Sequence, residues 1–221
     1  EIAMSDWSSD VCSSDLDTMI IRNDMNISYV RVLNASPDAP AVDIYINGGL
    51  IFKNIKFKDF TEYVQLSMGQ YKMEVYPVGQ MDKPVLAQNI QVPQKQVITI
   101  AATGNFEDLQ LIPYIEGDAD GLAMNQSRVR LIHLSPDAPE VDVLINGQIA
   151  FDNVGFMDAT DYIQVASGTY NIVVNLAGTN DTVLTFSPQL NSQKVYTIYV
   201  VGNPPNLSEI QSLDGSTFVR F

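Results

Sequence analysis

Cysteine, histidine and tryptophan are almost missing from these 221 residues: Cys12, His133 and Trp7 are single occurrences. Bases are scarce too, at 12 Lys and Arg against 26 Asp and Glu, for a formal net charge of −14. Such an acidic surface repels phosphate backbones and anionic headgroups, which argues against nucleic-acid or membrane-surface binding. No apolar run approaches the roughly 18 residues a membrane-crossing helix needs, so no direct membrane insertion is visible in this chain. Beyond Cys12 the chain has no cysteine, which excludes a disulfide scaffold, a zinc cluster and a thiol nucleophile.

What is present begins with a foreign-looking leader. Residues 1–16, EIAMSDWSSDVCSSDL, hold both Trp7 and Cys12 and show neither alternation nor capping. Asp6 to Leu16 back-translates to a codon string resembling a common sequencing-adapter oligonucleotide read in frame, so the segment is set apart as a scar would be. The natural start of the chain, with any export signal, is then expected to be missing. Dropping Glu1, Asp6, Asp10 and Asp15 moves the charge from −14 to −10 and leaves the acidic character intact. Residues 17–27 form a lead-in.

Self-similarity sets the architecture. YVRVLNASPDAPAVDIYINGGLIF, from Tyr29, returns as RVRLIHLSPDAPEVDVLINGQIAF, from Arg128. The offset is 99 up to Tyr76, with 22 of 48 positions identical, and 98 further on, pairing Thr99 with Thr197 and Gly104 with Gly202. Val42, Ile44 and Ile46 alternate with Asp43, Tyr45 and Asn47, and Val141, Val143 and Ile145 do the same in the second copy. Period two means a strand with one face in a core and one in water. Asn47-Gly48 and Asn146-Gly147 accept positive φ and predict tight hairpin turns. Further strands are expected near 61–66, 70–77, 84–89, 96–103 and 108–115, with counterparts near 160–165, 169–176, 181–187, 194–201 and 207–213. The fold class is therefore all-β: two tandem antiparallel β-sandwich domains of immunoglobulin or transthyretin type, at 28–115 and 128–221. Residues 116–127, acidic and without alternation, read as the linker.

The loop Ser36–Pro40, SPDAP, recurs at Ser135–Pro139. Its prolines fix their own φ and push Ser36 and Ala39 into extended backbone, so the loop is stiff before anything packs on it. It reads either as a rigid connector or as a binding tip built from both copies. With SPDAPAVDIYING and the later Met68-Gly69-Gln70-Tyr71 and Ser167-Gly168-Thr169-Tyr170 strands, residues 28–215 resemble a bacterial family catalogued as a domain of unknown function, numbered 4397. The resemblance implies an exported protein, often a lipoprotein, with an immunoglobulin-like sandwich. It brings no catalytic or binding residues.

Chemistry is sparse. His133 precedes Ser135 by two residues, about 7 Å apart on a strand, too far for a nucleophile–base pair; its counterpart is Asn34. No catalytic residue and no cofactor is assigned, and the chain reads as no enzyme. Asp38 with Asp43, and Asp137 with Asp142, form repeated acidic pairs that would suit glycosidic acid–base work only in a cleft, or calcium bound by loop oxygens. The competing expectation is an ion pair, Arg31 to Asp43 and Arg130 to Asp142, across a hairpin about the loop. Asp118 and Asp120 open like a calcium loop, but Leu122, Ala123 and Val129 break the EF-hand pattern, leaving a looser calcium site or solvated charge. Tyr45 should face outward, where an aromatic surface can meet a sugar ring. The leading expectation is a non-catalytic, extracytoplasmic interaction or spacer module at the cell surface or in the periplasm. Its partner would be an unknown surface protein or glycan. The alternative is a carbohydrate-binding or hydrolytic accessory protein of the envelope.

Overall fold

A computed structural model describes residues 26–217 and Val219; the leader, with Trp7 and Cys12, lies outside the described residues. The first copy supplies β1 (Ile27–Asn34), β2 (Val42–Ile46), β3 (Gly49–Ile55), β4 (Val64–Ser67), β5 (Gly69–Pro77), β6 (Leu86–Val92), β7 (Val97–Thr103) and β8 (Gln110–Ile115). The second supplies β9 (Gln126–His133), β10 (Val141–Ile145), β11 (Gln148–Val154), β12 (Ile163–Ala166), β13 (Gly168–Thr169), β14 (Ile172–Leu176), β15 (Thr182–Phe186), β16 (Gln189–Leu190), β17 (Val195–Val201) and β18 (Ser208–Leu213). The described residues include no α-helix, only single 3-10 turns at Phe106–Asp108 and Gly215–Thr217. Gln126 and Ser127, read as linker, already belong to β9.

Each copy is a sandwich of two four-stranded sheets, β4-β1-β7-β8 over β3-β2-β5-β6 and β12-β9-β17-β18 over β11-β10-β14-β15, with a two-stranded β13-β16 ladder besides in the second copy. Val42, Ile44 and Ile46 are buried as the alternation requires, and so are Val141 and Val143, with Ile145 partly buried against the same core. Both hairpin turns are of the mirror-image type: Asn47 and Gly48 have φ of 51° and 80°, Asn146 and Gly147 50° and 81°. Each Asn also accepts a backbone N–H, from Lys72 in β5 at 2.9 Å and from Asn171 just before β14 at 3.0 Å, which pins the turn.

One expectation fails on topology. β1 and β2 do not pair around the SPDAP loop. β1 lies antiparallel to β4 and parallel to β7, while β2 sits in the opposite sheet between β3 and β5. The loop is therefore a crossover between sheets, and Arg31 and Asp43 face away from each other on either side of the core. No Arg31–Asp43 or Arg130–Asp142 ion pair forms; Arg31 pairs instead with Glu116, Nη2 to Oε1 at 3.1 Å.

The strands next to the copy–copy boundary do not alternate. All seven residues of β7 are buried, and all seven of β17. A strand buried on both faces must have a second apolar layer beyond its own core. That layer is the other copy. Val30, Val32, Ile98 and Ile100 fill the first core, and Val129, Leu131, Ile198 and Val200 the second. Leu33, Ala35, Ala101, Tyr114, Ile132, Leu134, Tyr199 and Val201, four from each copy, form a third apolar cluster between the two inner sheets.

Candidate functional site

The seam around that cluster holds most of the buried polar chemistry. Glu116, the first residue of the segment read as linker, is 6 % exposed. Its carboxylate meets the Arg31 guanidinium and accepts hydrogen bonds from Tyr63 Oη (2.7 Å), Thr99 Oγ1 (2.6 Å) and, from the other copy, the Gly215 N–H (2.5 Å). Arg31 Nε donates to Thr99 Oγ1 and Nη2 to Ser212 Oγ, both at 2.8 Å, and its guanidinium lies between the Phe60 and Tyr63 rings at 4.4 and 4.7 Å. Buried charges persist only when paired and hydrogen-bonded, and this one is both.

The second copy repeats the set with one methylene missing. Arg130 lies over the Tyr162 ring at 4.5 Å with Nε on Thr197 Oγ1, and Asp214 stands where the first copy has Glu116. The shorter acid accepts from Tyr162 Oη at 2.5 Å and Thr197 Oγ1 at 3.2 Å, while Arg130 Nη2 and Asp214 Oδ1 are buried without a hydrogen-bond partner. Burial, and then the nearby Glu116 charge, push the Asp214 carboxyl up to about 6. Burial likewise raises the Tyr63 and Tyr162 phenols far above their ordinary range.

The copies touch reciprocally, as across a two-fold axis. Gly117 N–H donates to Tyr162 Oη at 2.9 Å, and Gly215 N–H to Tyr63 Oη at 3.1 Å. A Cβ on Gly117 would come within 2.8 Å of the Tyr162 ring, and one on Gly215 within 2.7 Å of the Tyr63 ring. Ser216 Oγ donates to the Gly117 carbonyl. Sequence reasoning missed this seam. Its signals were the unbroken apolar runs VITIAAT and VYTIYVV and the matched Glu116-Gly117 and Asp214-Gly215.

At the other end of the seam the two SPDAP loops meet the Gly104-Asn105 and Gly202-Asn203 turns. In the first copy Ser36 Oγ donates to the Gly104 carbonyl at 2.7 Å, and Asp38 Oδ1 accepts the Phe106 N–H at 2.8 Å. In the second, Pro204 occupies the place of Phe106 and has no N–H to give. Asp137 turns instead to the first copy, accepting from Asn105 Nδ2 at 3.1 Å, and Asn203 Nδ2 donates to Asn105 Oδ1 at 3.2 Å. Asn105 thus ties the second SPDAP loop to the opposite turn.

The remaining aspartates are dispersed. Asp43 accepts the N–H of Asn54, and Asp142 those of Asn153 and Gly178, at 2.8–2.9 Å. Asn54 and Asn153 have φ of 55° and 50°, so each acid pins a left-handed residue in the edge strand beside it. Those two N–H donors hold the Asp142 carboxyl below the ordinary carboxylate range. Asp118 pairs with Arg128 at 2.7 Å and caps the Asp120 N–H, while the Asp120 carbonyl accepts from Arg128. Asp38 and Asp43, and Asp137 and Asp142, thus take separate anchors, and among the described residues no three His, Cys, Asp or Glu side chains gather to hold a metal. His133 is fully buried; its Nδ1 accepts the Ser135 N–H at 3.2 Å and Nε2 faces the Pro139 carbonyl at 3.3 Å. Burial holds it below the ordinary imidazole range. Tyr45 is half-buried, edge-on to Tyr76 with centroids 5.0 Å apart.

Two matching grooves open between edge strands of the paired sheets. One, of about 460 Å³, runs along Phe52, Asn54, Thr61 and Glu62; the other, of about 480 Å³, along Phe151, Asn153, Thr160 and Asp161.

A family model described as a domain of unknown function matches the chain twice, over residues 28–143 and 127–217. The chain belongs to the DUF4397 family. No curated protein matches it. Solved structures similar to this DUF4397 chain include the Bacillus anthracis TIE protein, at 9 % identity and TM-score 0.28 over 80 % of this chain and 34 % of that one. Another is a streptococcal virulence factor described for alpha-glucan binding, at 12 % identity and TM-score 0.28 over 88 % and 100 %. A third is a family 26 carbohydrate-binding module from Eubacterium rectale in complex with maltoheptaose, at 9 % identity and TM-score 0.26 over 86 % and 99 %.

Proposed function

We propose that this DUF4397 chain is a non-catalytic, extracytoplasmic interaction and spacer module, with domains at 28–115 and 128–221 acting as one unit. The observation that carries the reading is how the duplicated polar residues are used. Arg31 and Arg130, Tyr63 and Tyr162, and Glu116 and Asp214 are spent on the seam, and Asp43 and Asp142 on pinning edge-strand residues. Turnover needs a carboxylate or imidazole poised over a substrate cleft. Here the one histidine is sealed in and bonded to its own loop. A tandem module joined by a polar and apolar seam keeps a fixed separation between its ends, which is what a spacer needs. The test has two arms. Purified protein is assayed on glycans and esters; turnover abolished by Asp38→Asn or Asp137→Asn overturns the reading. Fractionation of cells expressing the protein from its own gene, with protease added to intact cells, should find the protein outside the cytoplasm.

One observation favours a second reading, glycan binding. Tyr45 of β2 and Tyr76 of β5 form an aromatic pair on an outer sheet face, and β5 also carries the Lys72–Glu74 ion pair of 2.7 Å. The corresponding second-copy positions are Leu144 and Asn175, so the chain would carry one such site. Retention on a glycan array that disappears in Tyr45→Ala and Tyr76→Ala would establish it.

A further inference from the structure

The seam is matched in its polar residues, the shorter Asp214 for Glu116 apart, and mismatched in its apolar ones. Arg31, Tyr63, Thr99 and Gly117 recur as Arg130, Tyr162, Thr197 and Gly215. At four other places the copies differ in size, two in each direction. The first copy is small at Ala35 and Ala101 where the second has Leu134 and Tyr199, and all four are fully buried in the shared cluster. The first copy is large at Phe60 and Tyr114 where the second has Ala159 and Ser212. Across the seam the large groups meet the opposite copy's ring or backbone. Phe60 packs edge-on against Tyr199 at 5.8 Å, and Arg31 beneath it reaches Ser212. Tyr114 Oη donates to the Met157 carbonyl at 2.9 Å, two residues from Ala159. Thr103 Oγ1 donates to the Leu134 carbonyl at 3.3 Å.

Interiors are packed to crystal density, so volume must balance across such a layer. Two first copies face to face would set Phe60 against Ala101 in place of Tyr199 and lose the ring contact. Two second copies would set Tyr199 against Ala159 in place of Phe60 and lose the same contact. Either like pair leaves a ring facing a methyl group, a packing fault that is costly in a close-packed core. We infer that the seam is a protein–protein interface specific for unlike repeats: the partner that fits the inner face of the first repeat is the inner face of the second. The polar set supplies affinity for either repeat and the size differences supply the choice. Specificity of this kind needs elements that penalise the wrong pair as well as contacts that favour the right one. For the chain, this selects the folded-back arrangement within one molecule over chains linked through like repeats. The inference does not depend on the interaction role proposed above.

The test keeps the full chain. A protease site is inserted after the exposed Gly121, and the folded protein is cut there. Native mass spectrometry of the cut protein should show the two halves together as one particle; free halves at micromolar concentration overturn the inference. The cut protein is then unfolded in urea and refolded. The unlike pair should exceed each like pair by at least about 10-fold, given one core packing error per like pair; a statistical 1:2:1 mixture overturns it. A second measurement on the uncut chain does not rely on refolding. Ala101→Tyr and Tyr199→Ala each lower the melting midpoint, and the double variant should recover part of the loss by returning the volume to the layer. Strictly additive losses overturn the inference as well.

Discussion

Lowering the pH from 7 to 5 should strengthen the seam, through Asp214. Its carboxyl titrates near 6 in the folded chain, against an ordinary 3.8. The folded form therefore binds the proton more readily than the unfolded one, so stability rises as pH falls through 6 and the gain is complete below about 4. Two units at about 1.4 kcal/mol each give roughly 3 kcal/mol in total, of which roughly 1 kcal/mol is in hand at pH 5. His133 works in the opposite sense. Burial keeps it neutral, with Nδ1 accepting the Ser135 N–H, so its contribution is lost as pH falls below the unfolded imidazole value near 6.5. The two must be separated. His133→Asn does this, because Asn34 fills the equivalent position, accepting the Ser36 N–H and donating to the Ile55 carbonyl. Urea unfolding of His133→Asn and of His133→Asn with Asp214→Asn, at pH 7, 6 and 5, isolates Asp214 together with its interaction with Glu116, since carboxylates that do not act on Asp214 cancel in the difference. Arg130, Arg31, Glu116 and Tyr162 face Asp214 in both proteins. The Asp214 form should gain roughly 1 kcal/mol on its Asn counterpart between pH 7 and 5. Parallel curves, or a gain by the Asn form, would refute the argument that burial and the Glu116 charge hold Asp214 up.

Glu116→Ala should be the most damaging single change in the seam, costing about 3–5 kcal/mol by denaturant unfolding, because it leaves Arg31 buried without its anion. Gly117→Ala and Gly215→Ala should each cost about 1–3 kcal/mol through overpacking against a tyrosine ring, and limited proteolysis of residues 118–125 should quicken in both. Asn146→Ala should cost about 1 kcal/mol, since Ala at a φ of 50° gives up both the left-handed tolerance and the bond from Asn171 N–H. Millimolar calcium should leave the melting midpoint unchanged, as Asp43 and Asp142 are taken by backbone N–H groups; a rise in midpoint would mean that they part with them.

The single sandwich was legible in the chain because strand registers are written locally. Val42, Ile44 and Ile46 declare one face, and Asn47-Gly48 declares the turn that follows, with no reference to anything distant. The duplication was legible for the same reason, as SPDAP and its neighbours repeat at a fixed offset. What Arg31, Asp43 and Glu116 do was not, because it depends on which strands become neighbours. The SPDAP loop links two strands that look like a hairpin in sequence, and only the tertiary structure puts β1 beside β7 and sends β2 to the opposite sheet. That sets Arg31 against Glu116, 85 positions away, and leaves Asp43 to cap a bend in β3. Alternation reports that a face is buried but not by what. The unbroken apolar runs of β7 and β17 required a second covering layer, and only the folded chain decided that each copy covers the other.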